Sequence, residues 1–153
     1  MHDKASRSIT IVVADDDPDD RLLIEEAFEE NRLKNNLVFV EDGEQLLDYL
    51  RGEGKYADQD DHDPVGIILL DLNMPRMDGR EALAIIKSDP ELRRIPVVVL
   101  TTSSAEEDIL RTYDLGVNSF VTKPVTFAGL VDLTRTLGHY WFEIVALPPD
   151  STR

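Results

Sequence analysis

Five carboxylates stand in the six positions Asp15-Asp16-Asp17-Pro18-Asp19-Asp20. Mutual repulsion makes such a cluster costly unless a cation or solvent answers it. Helix capping accounts for part of it, because Asp is favoured at and near a helix N-terminus, where the dipole welcomes negative charge. That explains Asp17, Asp19 and Asp20. It explains Asp15 and Asp16 poorly, since they directly continue the apolar run Ile11-Val12-Val13. Three later apolar runs end in reactive residue types as well: Ile67 to Leu70 leads into Asp71-Leu72-Asn73, Leu100 into Thr101-Thr102-Ser103, and Val121 into Thr122-Lys123-Pro124. Taken singly these are weak signals, for a Thr after a strand is usually a turn former and a lone Lys a solvated charge. Taken together, successive positions deliver acids, an acid, a hydroxyl and an amine. Phosphoryl transfer to a carboxylate asks for that set, since charge on the transferred group must be met by metal and cation while an in-line nucleophile is held in place. Carboxylates with no His or Cys beside them describe a hard-cation site, which Mg²⁺ with several retained waters fits better than a thiophilic metal. Ligand type alone leaves Ca²⁺ open, although the EF-hand spacing is absent.

Those residues converge only if the chain folds in a particular way. Short apolar runs rich in β-branched residues lie at Ile9 to Val13, Leu37 to Val40, Gly66 to Leu70, Ile95 to Leu100 and Ser119 to Val121, each too brief for a helix. Between them, helical spacing joins Leu23 to Ala27 and Ile24 to Phe28, then Leu46, Leu47 and Leu50, then Leu83 and Ile86, then Ile109, Leu110 and Tyr113. A fifth stripe runs from Phe127 through Leu130, Val131, Thr134, Leu137, Trp141, Ile144 and Val145, about five turns of helix. Alternating strands and helices predict a doubly wound α/β fold with a five-stranded parallel sheet. In such sheets ligands bind beyond the carboxyl ends of the strands where strand order reverses, which for the order 2-1-3-4-5 lies between strands 1 and 3. Asp15, Asp16 and Asp71 are expected to meet there.

Composition narrows the function classes. The 153 residues fit one domain, and 42% hydrophobic with 31% charged residues reads as a soluble globular chain. A net charge of −15 would repel a phosphate backbone, so direct nucleic-acid binding is not expected. Cysteine is absent, which removes disulfides and thiolate chemistry. Met1-His2-Asp3-Lys4 shows no apolar signal core and no run reaches the length of a membrane span, so a cytoplasmic location without membrane insertion is expected. His2, His62 and His139 are scattered and read as surface residues.

Two segments stand outside the alternation. Arg51 to Pro64, with two Gly and four Asp, reads first as a solvated loop. The apolar finish around Tyr140, Trp141, Ile144 and Val145, closed by Pro148-Pro149, reads either as packing on the parent domain or as a homodimer surface.

The segments IVVADDDPDDRLL, IILLDLNMPRMDGREAL, IPVVVLTTS and NSFVTKPV resemble, in order and spacing, the signature blocks of bacterial response-regulator receiver domains. The resemblance covers a core of residues 8–137 and leaves 138–153 as an extended C-terminal helix and tail of one receiver domain. It implies a flavodoxin-like receiver fold, a Mg²⁺-dependent phosphorylation site at Asp71, and a metal site formed by Asp15, Asp16, Asp71 and the backbone carbonyl of Asn73. It further implies that Thr101 is the hydroxyl that follows the phosphoryl group, Lys123 the cation that pairs with it, and Phe120 an aromatic switch where Tyr is more usual. Lys123-Pro124 resembles the family's cis peptide bond. Asp19-Asp20, the long loop before the third strand and the extension through Trp141 resemble the subgroup that serves phytochrome-type histidine kinases. The implied activity is that of a phosphoacceptor switch, with self-catalysed phosphotransfer and slow autodephosphorylation. Its partners would be a sensor histidine kinase and either a histidine phosphotransfer protein or another effector.

Three rival functions fit parts of the pattern. A phosphatase of the haloacid-dehalogenase type would need an acid where Asn73 stands, and Asn cannot donate a proton in that role. A nucleotide- or flavin-binding module would need a Gly- or Ser/Thr-rich loop where the Asp cluster lies. A phosphate-independent receiver-like interaction module is the alternative left, and the intact acids, hydroxyl and Lys argue against it.

Overall fold

A computed structural model describes residues 10–31, 36–57, 65–101, 106–117, 119–124 and 126–138. Within them the chain forms β1 (Thr10–Ala14), α1 (Pro18–Glu30), β2 (Asn36–Val40), α2 (Gly43–Arg51), a 3₁₀ turn (Gly54–Tyr56), β3 (Val65–Leu70), α3 (Gly79–Ser88), β4 (Val97–Thr101), α4 (Glu106–Asp114), β5 (Ser119–Thr122) and α5 (Phe127–Leu137). The five strands form one parallel sheet in the order β2-β1-β3-β4-β5, as the alternation of elements predicts.

Side chains alternate across that sheet and build two cores. Val12, Ala14, Ile68, Leu70, Val97 and Val99 face Leu46, Leu47, Leu83 and Ile86 of α2 and α3. Ile11, Val13, Ile67, Leu69, Val98 and Leu100 face Ile24, Ala27 and Phe28 of α1 and Leu130, Val131 and Leu137 of α5. Asn31, just past α1, donates its side-chain N–H to the Val131 carbonyl at 2.9 Å, tying the two helices of this face together. The strands therefore have little freedom to slip, because a one-residue shift would exchange the two faces.

Several expectations are corrected. The fourth strand begins at Val97 rather than Ile95, since Pro96 has no N–H for the ladder and contributes only its carbonyl, which accepts from Ile68 N–H at 3.0 Å. Leu23 is exposed, and the buried stripe of α1 is Ile24, Ala27 and Phe28. The polar stretch from Arg51 is not wholly a solvated loop: after the left-handed Gly52 (φ +65°) closes α2, the 3₁₀ turn drives Tyr56 into the core edge-on against Tyr49, with ring centres 5.1 Å apart. Residues 58–64 of that stretch, the three His residues and the expected dimer surface at Tyr140, Trp141, Ile144 and Val145 all lie outside the described residues.

Candidate functional site

The sheet ladder runs one residue past the strands on its carboxyl side, and these extra bonds gather the site. Asp15 N–H donates to the Val40 carbonyl (3.0 Å), Asp71 N–H to Ala14 (3.0 Å) and Lys123 N–H to Thr101 (2.7 Å). Asp71 is thereby set beside the end of β1, and Lys123 beside the end of β4. The next turn is fixed by close packing: a Cβ on Gly79 would run into the Asp71 carbonyl oxygen and the Leu72 Cα, so only glycine lets the start of α3 sit this close. Asp78 opens that helix with a reciprocal capping box to Glu81.

Side chains complete the arrangement. Lys123 Nζ lies 2.7 Å from Asp15 Oδ2, 2.8 Å from Asp20 Oδ2 and 3.2 Å from Asp71 Oδ2. The other Asp71 oxygen, Oδ1, accepts from Thr101 Oγ1 at 2.9 Å and from Asn73 N–H at 3.0 Å. The Asn73 side-chain amide reaches Thr101 Oγ1 at 3.4 Å. Asp15, buried like Asp71 and Thr101, accepts from Asp17 N–H through Oδ1 at 3.0 Å, and its carbonyl accepts from the Arg21 guanidinium at 2.9 Å. Exposed Asp16 turns a carboxylate toward the same point: Asp15, Asp16 and Asp71 each offer one oxygen within 4.8 Å of the others.

Burial pushes the Asp15 carboxyl above its ordinary 3.8, with Asp71 adding to the rise, against the lowering effect of Lys123 and the Asp17 N–H. Burial alone would make Lys123 easier to deprotonate, yet the hydrogen bonds to Asp15 and Asp20 and the charges around it hold its pKa above the usual lysine value. The ammonium therefore stays charged. Lys123, even with Arg21 on the Asp15 carbonyl, leaves Asp15, Asp16, Asp20 and Asp71 with an excess of negative charge. The oxygen-only donor set, with no His or Cys, fits a hard divalent ion.

The structure thus brings together Asp15, Asp16, Asp71, Asn73, Thr101 and Lys123. Phe120 stands apart on the edge strand, half-buried against the α2/α3 core, with its N–H donating to the Tyr113 hydroxyl of α4 at 3.2 Å. One expectation fails: no cis peptide bond occurs among the described residues, and Lys123–Pro124 is trans. Trans is the lower-energy isomer even before proline, and with it Lys123 already reaches three carboxylates. Sequence reasoning also missed Asp20 as a partner of Lys123, having assigned it to the helix dipole. The available signal was the charge imbalance, since more acids clustered there than capping required.

An open parallel sheet with an acidic, cation-bearing rim between its first and third strands defines a switch-point site of the phosphate- and metal-handling kind. A family profile for the response regulator receiver domain matches residues 11–135, and the chain belongs to that family. It is 36% identical to the response regulator Rcp1 of Synechocystis sp. over 97% of this chain and 99% of that one. It is also similar to the crystal structure of the phosphorylated cyanobacterial phytochrome response regulator RcpA, at 43% identity and a TM-score of 0.85, covering 93% of this chain and 99% of that one. The Mn²⁺-bound form of Rcp1 superposes with a TM-score of 0.83 at 38% identity, covering 92% and 99% of the two chains. The chain is therefore a receiver domain of a two-component response regulator, from a family of phosphoacceptor switches that histidine kinases phosphorylate and that bind a divalent metal in the acidic pocket. Among the described residues no helix is long and apolar enough to cross a membrane.

Proposed function

We propose that this receiver accepts a phosphoryl group on Asp71 from a histidine kinase, with Mg²⁺ bound by Asp15, Asp16, Asp71 and the Asn73 carbonyl. The observation that carries the reading is the pairing of Asp71 with both Thr101 Oγ1 (2.9 Å) and Lys123 Nζ (3.2 Å) beside two further acids. When bound, the ion would neutralise charge on the transferring group. The protein's own part is positional. An Asp71 carboxylate oxygen attacks phosphorus, the P–N bond of the kinase's phosphohistidine breaks, and the electron pair leaves with the imidazole. Lys123 and Thr101 then face the new acyl phosphate as cation and hydroxyl.

The added charge, nearly two units, draws Thr101 and Lys123 toward the phosphoryl group. Thr101 is hydrogen-bonded through its carbonyl to Lys123 N–H, and Phe120 lies three residues before that lysine on β5, so movement at the site is passed to the β5 and α4 surface. Output is a protein contact: control of an effector, or relay to a histidine phosphotransfer protein. The similarity to the phytochrome response regulator RcpA supports a phytochrome-type kinase as donor. We further read the apolar segment at Tyr140, Trp141, Ile144 and Val145 as a homodimer surface, for which sedimentation showing monomer at all concentrations is the opposing result.

The first test is intact mass after incubation with Mg²⁺ and acetyl phosphate, beside Asp71→Asn and a chelated sample. One added phosphoryl group that disappears in both controls is expected. No addition under any condition would overturn the reading and favour a phosphate-independent interaction module.

A further inference from the structure

A lysine ammonium has three N–H donors and no acceptor. Here Asp15, Asp20 and Asp71 are placed to take all three, at 2.7, 2.8 and 3.2 Å. The Asp71 contact is the longest, so the cation rests toward α1 and away from the carboxylate it must serve. Asp20 holds it there from a rigid support. It is the third residue of α1, whose first turn is fixed by the Asp17 cap on Asp19 N–H and whose body is anchored by buried Ile24, Ala27 and Phe28. The backbone of Asp20 is thereby fixed, so its short side chain can follow the lysine toward a group on Asp71 only within its own reach.

We propose that Asp20 is a positioning residue that holds Lys123 back and so slows phosphoryl uptake. The inference rests on the reading of Asp71 as acceptor. A phosphoryl oxygen arriving at Asp71 takes over the N–H that Lys123 gives to Asp71 at 3.2 Å, and the ammonium can advance to it only by stretching one of its two shorter bonds, to Asp15 or to Asp20. Asp15 is almost wholly buried and would be left without water if released, whereas the Asp20 side chain is 30% exposed and can be hydrated. The Asp20 bond is therefore the one surrendered, and its strength is a toll on every transfer. Asp20 belongs neither to the trio of metal-facing acids nor to the acceptor, so its removal leaves the chemistry in place.

The test measures initial rates of phosphorylation of the full chain by acetyl phosphate at saturating Mg²⁺, read by intact mass. Loss of one charge-assisted hydrogen bond predicts that Asp20→Asn and Asp20→Ala are about threefold to tenfold faster at saturating donor. Asp20→Glu, which restores the carboxylate, should fall back toward the wild-type rate. Asp19→Asn removes the same charge from the same turn without touching Lys123, and is expected to stay within about twofold of wild type because exposed charges are well screened. A field effect on the anionic donor would instead lower its half-saturating concentration, and would do so in both variants. Equal acceleration by Asp19→Asn and Asp20→Asn would overturn the proposal. A phosphorylated wild type beside an Asp20→Asn variant no faster than it would overturn this proposal alone, while a wild type that takes up no phosphoryl group would sink the Asp71 reading and this one with it.

Discussion

Two charged clusters lie at the same end of the sheet and are built on opposite principles. Around Lys123, four carboxylates confront one cation, and two of the acids are buried. Around Arg76, the cation is bonded to one acid: its Nε donates to Asp42 Oδ2 at 2.7 Å, with Glu41 and Glu44 acting on it only at longer range, while the buried Asp42 also caps α2 by accepting from Gln45 N–H at 2.8 Å. Next to that pair, Gly43 N–H donates to the Met77 carbonyl at 2.7 Å, an approach that leaves no room for a Cβ on Gly43. The bonded pair is a clasp that fastens the loop after Asp71 to the start of α2. The other cluster carries an excess of negative charge that suits it to a cation. The two clusters are thus told apart by whether each buried carboxylate has a cation of its own, as Asp42 does, or shares one, as Asp15 and Asp71 do.

Removing each cluster's central group should separate them most. Lys123→Met leaves buried Asp15 and Asp71 facing one another without a cation, and we expect it to destabilise the metal-free protein by about 3 kcal/mol at neutral pH, a large part of which saturating Mg²⁺ restores. Asp42→Ala removes a helix cap and the partner of Arg76 together, for a loss of about 2 kcal/mol that Mg²⁺ does not restore. Urea unfolding in chelator and in Mg²⁺ measures both. Equal response to the metal in the two variants would erase the distinction drawn above.

A smaller effect tests the clasp itself. Arg76 is the one described non-glycine residue with positive φ, at 60°. A side chain there costs about 1–2 kcal/mol, so Arg76→Gly relieves strain as it loses the ion pair, while Arg76→Ala loses the pair and keeps the strain. Arg76→Gly is expected to be about 1 kcal/mol more stable than Arg76→Ala. The reverse order in urea unfolding would mean that the left-handed turn is not what strains the loop.

These two clusters also show what the sequence could and could not disclose. Asp15, Asp16, Asp71, Thr101 and Lys123 were legible because each follows an apolar strand, and a parallel sheet brings all such ends to one edge. Only order along the chain was needed. Asp20 was not legible as a partner of Lys123, since that contact depends on how α1 is rotated about its axis. Arg76 and Asp42 were missed for a related reason: they are 34 residues apart, and although Asp42 follows β2 at the same remove as Asp16 follows β1, Arg76 stands in a loop that no strand pattern places. Tyr56 hid in a stretch whose Gly and Asp content signals loop, although one aromatic within it had a core to join. Tyr113 fitted an apolar stripe, yet its ring is exposed and its hydroxyl serves the edge of β5.

The smallest expected effect gives the sign of the site. Exposed Asp16 adds its charge to an already negative cluster, so Asp16→Asn should stabilise the metal-free protein by about 0.5 kcal/mol at neutral pH while weakening Mg²⁺ binding. The pH dependence follows the same logic through Asp15, whose folded-state pKa burial raises above 3.8. The folded protein then binds that proton more tightly than the unfolded chain does. Its contribution is destabilising above the raised pKa and relieved as pH falls through that value toward 3.8. With Mg²⁺ bound the sign reverses, because the metal requires the carboxylates deprotonated and acid drives it off. Urea midpoints measured from pH 7 downward, with and without Mg²⁺, should diverge at pH 7 and converge in acid, and the advantage of Asp16→Asn should fade over the same interval. Parallel profiles would mean that the rim carboxylates carry no uncompensated charge, and the contrast with the Arg76–Asp42 clasp would fail at its root.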